Sequence, residues 1–160
     1  MKLADRIAIV SGAAKGMGRD ICLTLAREGA DLMVNYQTNS QAAQEVVSEI
    51  KKMGRRALPH QADVSDNNQV IAMVDRAIKE MGCIDILVNC AGIAARVAFM
   101  DASIEEWHSI INVNLHGPFY TMKAVLPHMR QRGSGNIVNI SSNITKWYPP
   151  TSSLYATSKA

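Results

Sequence analysis

Ile7-Ala8-Ile9-Val10-Ser11-Gly12-Ala13-Ala14-Lys15-Gly16-Met17-Gly18 is the stretch on which the fold turns. Its first four residues are apolar with no polar alternation, the pattern of a short strand buried on both faces. The glycines that follow allow a tight turn, close approach to a pyrophosphate and close helix–strand packing. A helical pattern then runs through Ile21, Leu25 and Ala26 and stops at Gly29. The start of that helix would offer amide donors and a positive dipole end to an anion. The spacing is GxxxGxG, not the GxGxxG of the commonest dinucleotide fingerprint. Taken alone, the turn also reads as a ligand-free connection.

Outward from this unit, strands and helices alternate. Leu32-Met33-Val34 forms a second strand. Ser40 is positioned to cap a helix reaching about Met53, with Val46, Val47 and Ile50 on its apolar face and Gly54 as its stop. Ala57 to Gln61 is a weaker third strand. Val70, Met73, Val74, Ala77 and Ile78 make a helical stripe, and Ile84 to Val88 a buried strand. Ser103-Ile104-Glu105-Glu106 reads as a capping box. The helical pattern after it continues to about Arg132, with Pro118 and Pro127 as breaks or kinks. Ile137-Val138-Asn139-Ile140 is the fifth strand. This alternation predicts an α/β fold, a Rossmann-like doubly wound parallel sheet in the order 3-2-1-4-5. Residues 1–160 are expected to form a single dinucleotide-binding domain. Ligands in such a fold bind at the carboxyl ends of the strands, where the order reverses between strands 1 and 4.

The composition narrows the function classes. The chain has 160 residues, of which 48% are hydrophobic and 19% charged, with a net charge of +3. At this length folding buries roughly 70% of the unfolded surface, enough for a core. Basic and acidic residues are mixed, with no polybasic block, so no nucleic acid partner is expected. No apolar run approaches the ~20 residues that span a bilayer, so no membrane partner is expected either. Cys22, Cys83 and Cys90 make an odd number with no CxxC pair, which suits a reduced, cytoplasmic setting. The four histidines have no ligand spacing, so no metal is expected. The nine methionines read as core filler.

The remaining motifs fall at strand ends or on the helices that follow. Asp63-Val64 follows strand 3 and Asn89-Cys90-Ala91-Gly92 follows strand 4. Asn112-Val113-Asn114-Leu115 lies in the long helical region. Ser142 follows strand 5, with Tyr155 and Lys159 thirteen and seventeen residues later. In this order, and with the glycine spacing, they resemble the short-chain dehydrogenase/reductase family. The Val34-Asn35-Tyr36 end of strand 2 resembles its 3-oxoacyl-acyl-carrier-protein reductase-like branch. The resemblance implies an NAD(P)(H)-dependent oxidoreductase that interconverts a ketone and a secondary alcohol, with a 3-oxoacyl compound as one candidate substrate. It implies a tetrad of Asn114, Ser142, Tyr155 and Lys159. It also implies cofactor contacts from Ser11, Gly12, Lys15, Gly16, Met17, Gly18, Asn35, Tyr36, Asp63, Val64, Asn89, Cys90, Ala91, Gly92, Tyr155 and Lys159.

The chemistry suits those residue types. A carbonyl that takes up hydride develops negative charge on oxygen and needs a proton donor within hydrogen-bond reach. Tyrosine supplies one, with a reference pKa of ~10. At i+4 on a helix, Lys159 shares a face with Tyr155, and its ammonium would favour the phenolate. By the resemblance, Lys159 also bonds the nicotinamide ribose, Ser142 orients the substrate oxygen, and Asn114 holds a water that links Lys159 to solvent. Ser141 is the neighbouring alternative to Ser142, and the spacing to Tyr155 favours Ser142.

NADP(H) is favoured over NAD(H). Asp31 has the separation from Gly12 of a ribose-binding acid, but it precedes strand 2 and belongs at the wrong end. The carboxyl end, Asn35-Tyr36-Gln37-Thr38-Asn39, carries no acid, and Lys15 could reach a phosphate as a point charge. Gln37 stands where NADP-dependent relatives often have an arginine. Cys90 departs from the family's second asparagine, and a thiol cannot replace an amide side chain. An inert strand-end cysteine and a reactive thiol are the two readings. Trp147-Tyr148-Pro149-Pro150 is expected to form a stiff loop over the site, with its aromatics either walling the substrate or packing the loop. Arg96 and Phe99 would border the same cleft.

Family members continue past the lysine, so the chain is expected to be C-terminally truncated relative to the family, leaving strand 5 as an exposed edge. Three readings follow: a fragment of a complete oxidoreductase, a dinucleotide-binding protein with little catalysis, or an interaction module that borrows the fold. A homo-oligomer, assembled through the helix around residues 103–132 and the one starting near Tyr155, is a family expectation.

Overall fold

The computed structural model describes residues 1–147 and 149–160. Its elements run β1 (Ile7–Val10), α1 (Gly16–Arg27), β2 (Asp31–Tyr36), α2 (Ser40–Lys52), β3 (Ala57–Gln61), α3 (Asn67–Met81) and β4 (Ile86–Asn89). A short 3₁₀ turn (Phe99–Asp101) leads to α4 (Ile104–Ile111), a π-helical segment (Asn112–His116) and α5 (Gly117–Arg132). Then come β5 (Asn136–Asn139), α6 (Ile144–Trp147) and α7 (Ser153–Lys159). The five strands form one parallel sheet in the order β3-β2-β1-β4-β5, the expected doubly wound topology.

The lack of alternation in the strands has a direct cause. Successive side chains of a strand point to opposite faces, and both faces are covered at β1, β2 and β4. Ala8 and Val10 join Leu23, Ala26, Val46 and Ile50 beneath α1 and α2. Ile7 and Ile9 join Met73, Ala77, Val125 and Met129 beneath α3 and α5. Burying a Val or Ile side chain contributes about 2 kcal/mol, so slipping β1 by one residue would exchange its two packing sets.

Two buried carboxylates fasten the amino-terminal end of the sheet. Asp31 pairs with Arg55 at 2.9 Å and Arg56 at 2.7 Å. Asp85 accepts from the Ile7 N–H at 2.9 Å and pairs with Arg6 at 3.1 Å and Arg132 at 3.3 Å. Asp31 therefore lies at the far end of β2 from the glycine turn.

Several boundaries differ from the sequence reading. Asn39, not Ser40, caps α2: its side chain accepts from the Ala42 N–H at 2.9 Å. Both residue types cap well, and Asn39 stands three residues before that amide. The Ser103–Glu106 capping box forms as expected. The long helical run changes to a π-helical pattern at Asn112–His116, in the turn just before Pro118, and shows no break at Pro127. Pro118 lies just after that segment as the second residue of α5, inside a continuous helical run, and α5 continues through Pro127. β5 is an edge strand, and Val138 on it is 47% exposed. Among the described residues, no helix is long and apolar enough to cross a membrane.

Candidate active site

A cleft of about 750 Å³ opens at the carboxyl ends of the strands, where the order reverses between β1 and β4. The glycine turn forms one wall. Gly12 has φ 64° and Gly16 φ 53°, the left-handed region that glycine adopts without strain. A Cβ on Gly12 would lie 2.7 Å from the Ala91 Cα, and one on Gly18 would overlap the Gly12 carbonyl oxygen. Around Gly16 there is open space. Gly18 thus serves close packing, Gly12 both packing and conformation, and Gly16 conformation alone. The first turn of α1 aims its free N–H groups into this wall, which fits a pyrophosphate.

The carboxyl end of β2 secures the turn. The Asn35 backbone carbonyl accepts from the Ala13 N–H at 2.7 Å, and its side chain reaches Gly12. Tyr36, Gln37, Thr38 and Asn39 continue the cleft's lining. The Asp63 carboxylate accepts from Gln37 Nε2 at 2.8 Å and from the Ser65 N–H and hydroxyl at 2.8 and 2.7 Å. Val64 packs where a Cβ on Gly117 would come within 2.9 Å of it. Among the described residues Lys15 makes no ion pair, whereas Arg19 is engaged with Glu49 at 2.7 Å.

Three residues expected at the site do not line the cleft. Ser11 is buried, and its hydroxyl accepts from the N–H groups of Cys90 at 3.0 Å and Ala91 at 3.1 Å. It ties β1 to the segment after β4. Asn89 is buried too, donating to Asn139 Oδ1 at 2.8 Å and lying 2.7 Å from Thr121 Oγ1. It pins β4 to β5 and α5. Asn114, on the π-helical segment, accepts from the Ile93 N–H at 2.9 Å and donates to the Ile93 carbonyl and the Ser158 hydroxyl, both at 2.8 Å. In each case the fold consumes the side-chain polar groups, so the role is to hold a wall rather than to form one.

Ser142, Tyr155 and Lys159 do meet in the cleft, with Cys90, Ala91 and Gly92 opposite. Lys159 Nζ donates to the Ile140 carbonyl at 3.0 Å. Burial lowers the Lys159 pKa below the ordinary lysine value, with nearby Cys90 acting weakly the other way. Burial likewise raises the Cys90 thiol pKa, opposed by Lys159, so the thiol stays protonated and the inert reading is favoured. Ser142 Oγ accepts from the Ile144 N–H at 3.2 Å, and Ser141 Oγ donates to the Lys159 carbonyl at 2.8 Å. Ser141 has therefore committed its proton, while among the described residues the Ser142 hydroxyl only accepts.

The rim beyond is apolar and open. The Val97 N–H donates to the Thr151 carbonyl at 3.1 Å, joining the loops that follow β4 and β5. Trp147 is 79% and Phe99 70% exposed, and neither these two nor Arg96 line the cleft. Tyr148, the loop's other aromatic, lies outside the described residues. Ile93, Val113 and Ile140 also line the cleft, though the sequence gives none of them a site role. They are apolar residues beside motifs, and nothing in their type marks them.

The short chain dehydrogenase family model matches residues 6–160. The 3-oxoacyl-acyl-carrier-protein reductase FabG of Staphylococcus aureus is 38% identical over 153 residues, covering 96% of this chain and 62% of the relative. FabG of Staphylococcus epidermidis is 36% identical over 156 residues, covering 98% of this chain and 64% of the relative. The short-chain dehydrogenase/reductase FrzI of a Cladobotryum species is 40% identical over 158 residues, covering 99% and 60%. The chain spans about three fifths of the length of these curated relatives. The match over nearly all of its residues, on the sheet order and cleft described above, makes this chain a member of the short-chain dehydrogenase family.

Proposed function

We propose that residues 1–160 form one dinucleotide-binding domain of an NADPH-dependent reductase that converts a ketone to a secondary alcohol, with a 3-oxoacyl thioester as the leading substrate class. The observation that carries this is the meeting of Ser142, Tyr155 and Lys159 with the glycine turn in a single cleft. The substrate class follows the FabG relatives, whose name states that reaction.

When bound, the nicotinamide supplies the hydride. Tyr155 delivers a proton to the carbonyl oxygen as negative charge develops there. The Ser142 hydroxyl, which only accepts among the described residues, donates its hydrogen to the same oxygen. Lys159, on the helical face of Tyr155, favours the phenolate that remains after transfer. Asn114 acts through position: it fixes Ile93 on the cleft wall and Ser158 beside Lys159. The absence of an acid on residues 35–39, together with a Lys15 that makes no ion pair among the described residues, supports NADP(H) over NAD(H). The three free cysteines support a reducing, cytoplasmic setting.

The test is an NADPH-oxidation assay on this 160-residue chain with 3-oxoacyl thioesters and small ketones, beside an NADPH titration. Turnover that requires substrate is the expected result. Tight NADPH binding with no turnover on any substrate would favour a dinucleotide-binding protein without catalysis. Failure to bind either dinucleotide would sink both.

A further inference from the structure

Asn35 is 1% exposed, and its carboxamide is fully employed. Oδ1 accepts from the Gly12 N–H at 3.1 Å. Nδ2 donates to the carbonyls of Ala62 at 3.1 Å and His60 at 3.4 Å. One side chain therefore joins the start of the glycine turn to the carboxyl end of β3. These are the two walls between which a nucleotide would lie, since Gly12 on one side and Ala62, Asp63 and Val64 on the other line the same cleft. Asn35, expected as a cofactor contact, does line the cleft, but its side-chain carboxamide is turned into the protein.

We propose that Asn35 is the positioning residue of the nucleotide half of the cleft, setting the orientation of the Gly12 amide and the spacing of the turn from β3. This rests on the dinucleotide reading above. The donor–acceptor pattern is specific. A carboxamide offers an acceptor on one side and two hydrogens on the other, matching one N–H and two carbonyls. An isosteric carboxylate would keep the Gly12 bond but set an anionic oxygen against two carbonyls, unless protonated. The residue lines the cleft, yet it determines nucleotide affinity through the Gly12 amide and the spacing of the two walls, since its own carboxamide is spent within the protein.

Two variants and two readouts test this. Asn35→Ala is expected to weaken NADPH binding about tenfold or more, the scale of one buried group left unsatisfied. It should also raise hydrogen exchange at the Gly12 amide at least tenfold, with β1 unchanged. Asn35→Asp is expected to bind poorly at pH 8 and to recover affinity as the pH falls and the carboxyl protonates, regaining a donor. The titratable groups on the adjoining elements, Lys15, Tyr36, His60 and Asp63, are shared with the parent, whose own pH profile is subtracted. A void alone would not produce that recovery. NADPH affinity within twofold of the parent for Asn35→Ala, or an Asn35→Asp affinity that follows the parent's pH profile, would overturn the proposal. If Asn35→Ala does not fold, Asn35→Asp decides. If the parent binds no dinucleotide, the functional reading fails. The exchange of the Gly12 amide then judges the clamp on its own, and unchanged exchange overturns it.

Discussion

Lys159 is tied twice to the chain that follows β5: its ammonium donates to the Ile140 carbonyl at 3.0 Å, and its own carbonyl accepts from the Ser141 hydroxyl at 2.8 Å. The segment leading into Ser142 and the end of α7 therefore move as one piece. Tyr155 stands one helical turn before Lys159, so its position relative to Ser142 is set by these two bonds.

Burial lowers the Lys159 pKa, so the charged amine is a cost to the folded state. The unfolded chain binds that proton more readily, and stability attributable to this residue rises with pH. Lys159→Met should abolish turnover while melting no lower than the parent at pH 7. Any gain should shrink as the pH rises from the lowered folded value towards the ordinary lysine value of ~10.4, and vanish above it, where neither state carries the charge. Melting curves at pH 7 and pH 10 check this, and a large loss of stability at pH 7 would show that the Ile140 bond outweighs desolvation.

Tyr155→Phe removes the proposed proton donor and leaves the ring. The rate of reduction should fall about 10³-fold, within the range general acid catalysis supplies. NADPH affinity should change by less than threefold. Steady-state rates beside an equilibrium titration separate the two effects, and surviving turnover would remove Tyr155 from the proton-donor role.

The glycines of the turn differ in what they tolerate. Gly16→Ala meets open space and adds only the cost of a left-handed φ, about 1 kcal/mol. Gly18→Ala drives a methyl into the Gly12 carbonyl and must shift the turn. NADPH affinity should therefore collapse in Gly18→Ala and fall only a fewfold in Gly16→Ala. Equal losses in the two variants would contradict the division between close packing and conformation.

The sheet order and the cleft's place were legible in the sequence because both faces of the central strands are covered, which leaves unbroken apolar runs such as Ile7–Val10. The glycine turn and the Tyr155–Lys159 pair were legible because their spacing is local. Side-chain roles that depend on register were not. Asn89 meets Asn139 only because β4 and β5 align those two residues. Asn35 reaches Gly12 and Ala62, 23 and 27 residues away, only once three strands are in place. The π-helical segment around Asn114 was hidden for another reason. Its neighbours keep a helical pattern, and the two nearby prolines offered a more obvious break.

Acid should weaken the amino-terminal end of the sheet first. Burial raises the pKa of Asp85, but the Ile7 N–H, Cys83, Arg6 and Arg132 together bring it below the ordinary carboxylate value. A depressed carboxylate stabilises the fold above the unfolded-state pKa, and that contribution is lost as pH falls through its folded value. Asp85→Asn should cost about 2 kcal/mol at pH 7, the scale of a hydrogen bond to a charged group. The gap from the parent should narrow below pH ~4, the ordinary aspartate range. Denaturant titrations at pH 7 and pH 3 give both values. A gap that stays constant across that range would assign the loss to packing instead of charge.

Lys15 decides between the two nicotinamide dinucleotides if the reading of the β2 end is right. It lines the cleft and makes no ion pair among the described residues, and no acid lies on residues 35–39 to oppose a 2′-phosphate. Its ammonium is exposed, so its attraction to a phosphate is screened and worth about 1 kcal/mol. Lys15→Ala should weaken NADPH binding about fivefold and NADH binding less than twofold, and added salt should shrink the difference. Fluorescence titrations of both dinucleotides at low and at 0.5 M salt measure this. A parent chain that binds NADH tenfold more tightly than NADPH would reverse the cofactor assignment. The remaining candidates for ribose recognition would then be Gln37 and Asp63, already joined to each other at 2.8 Å across the rim.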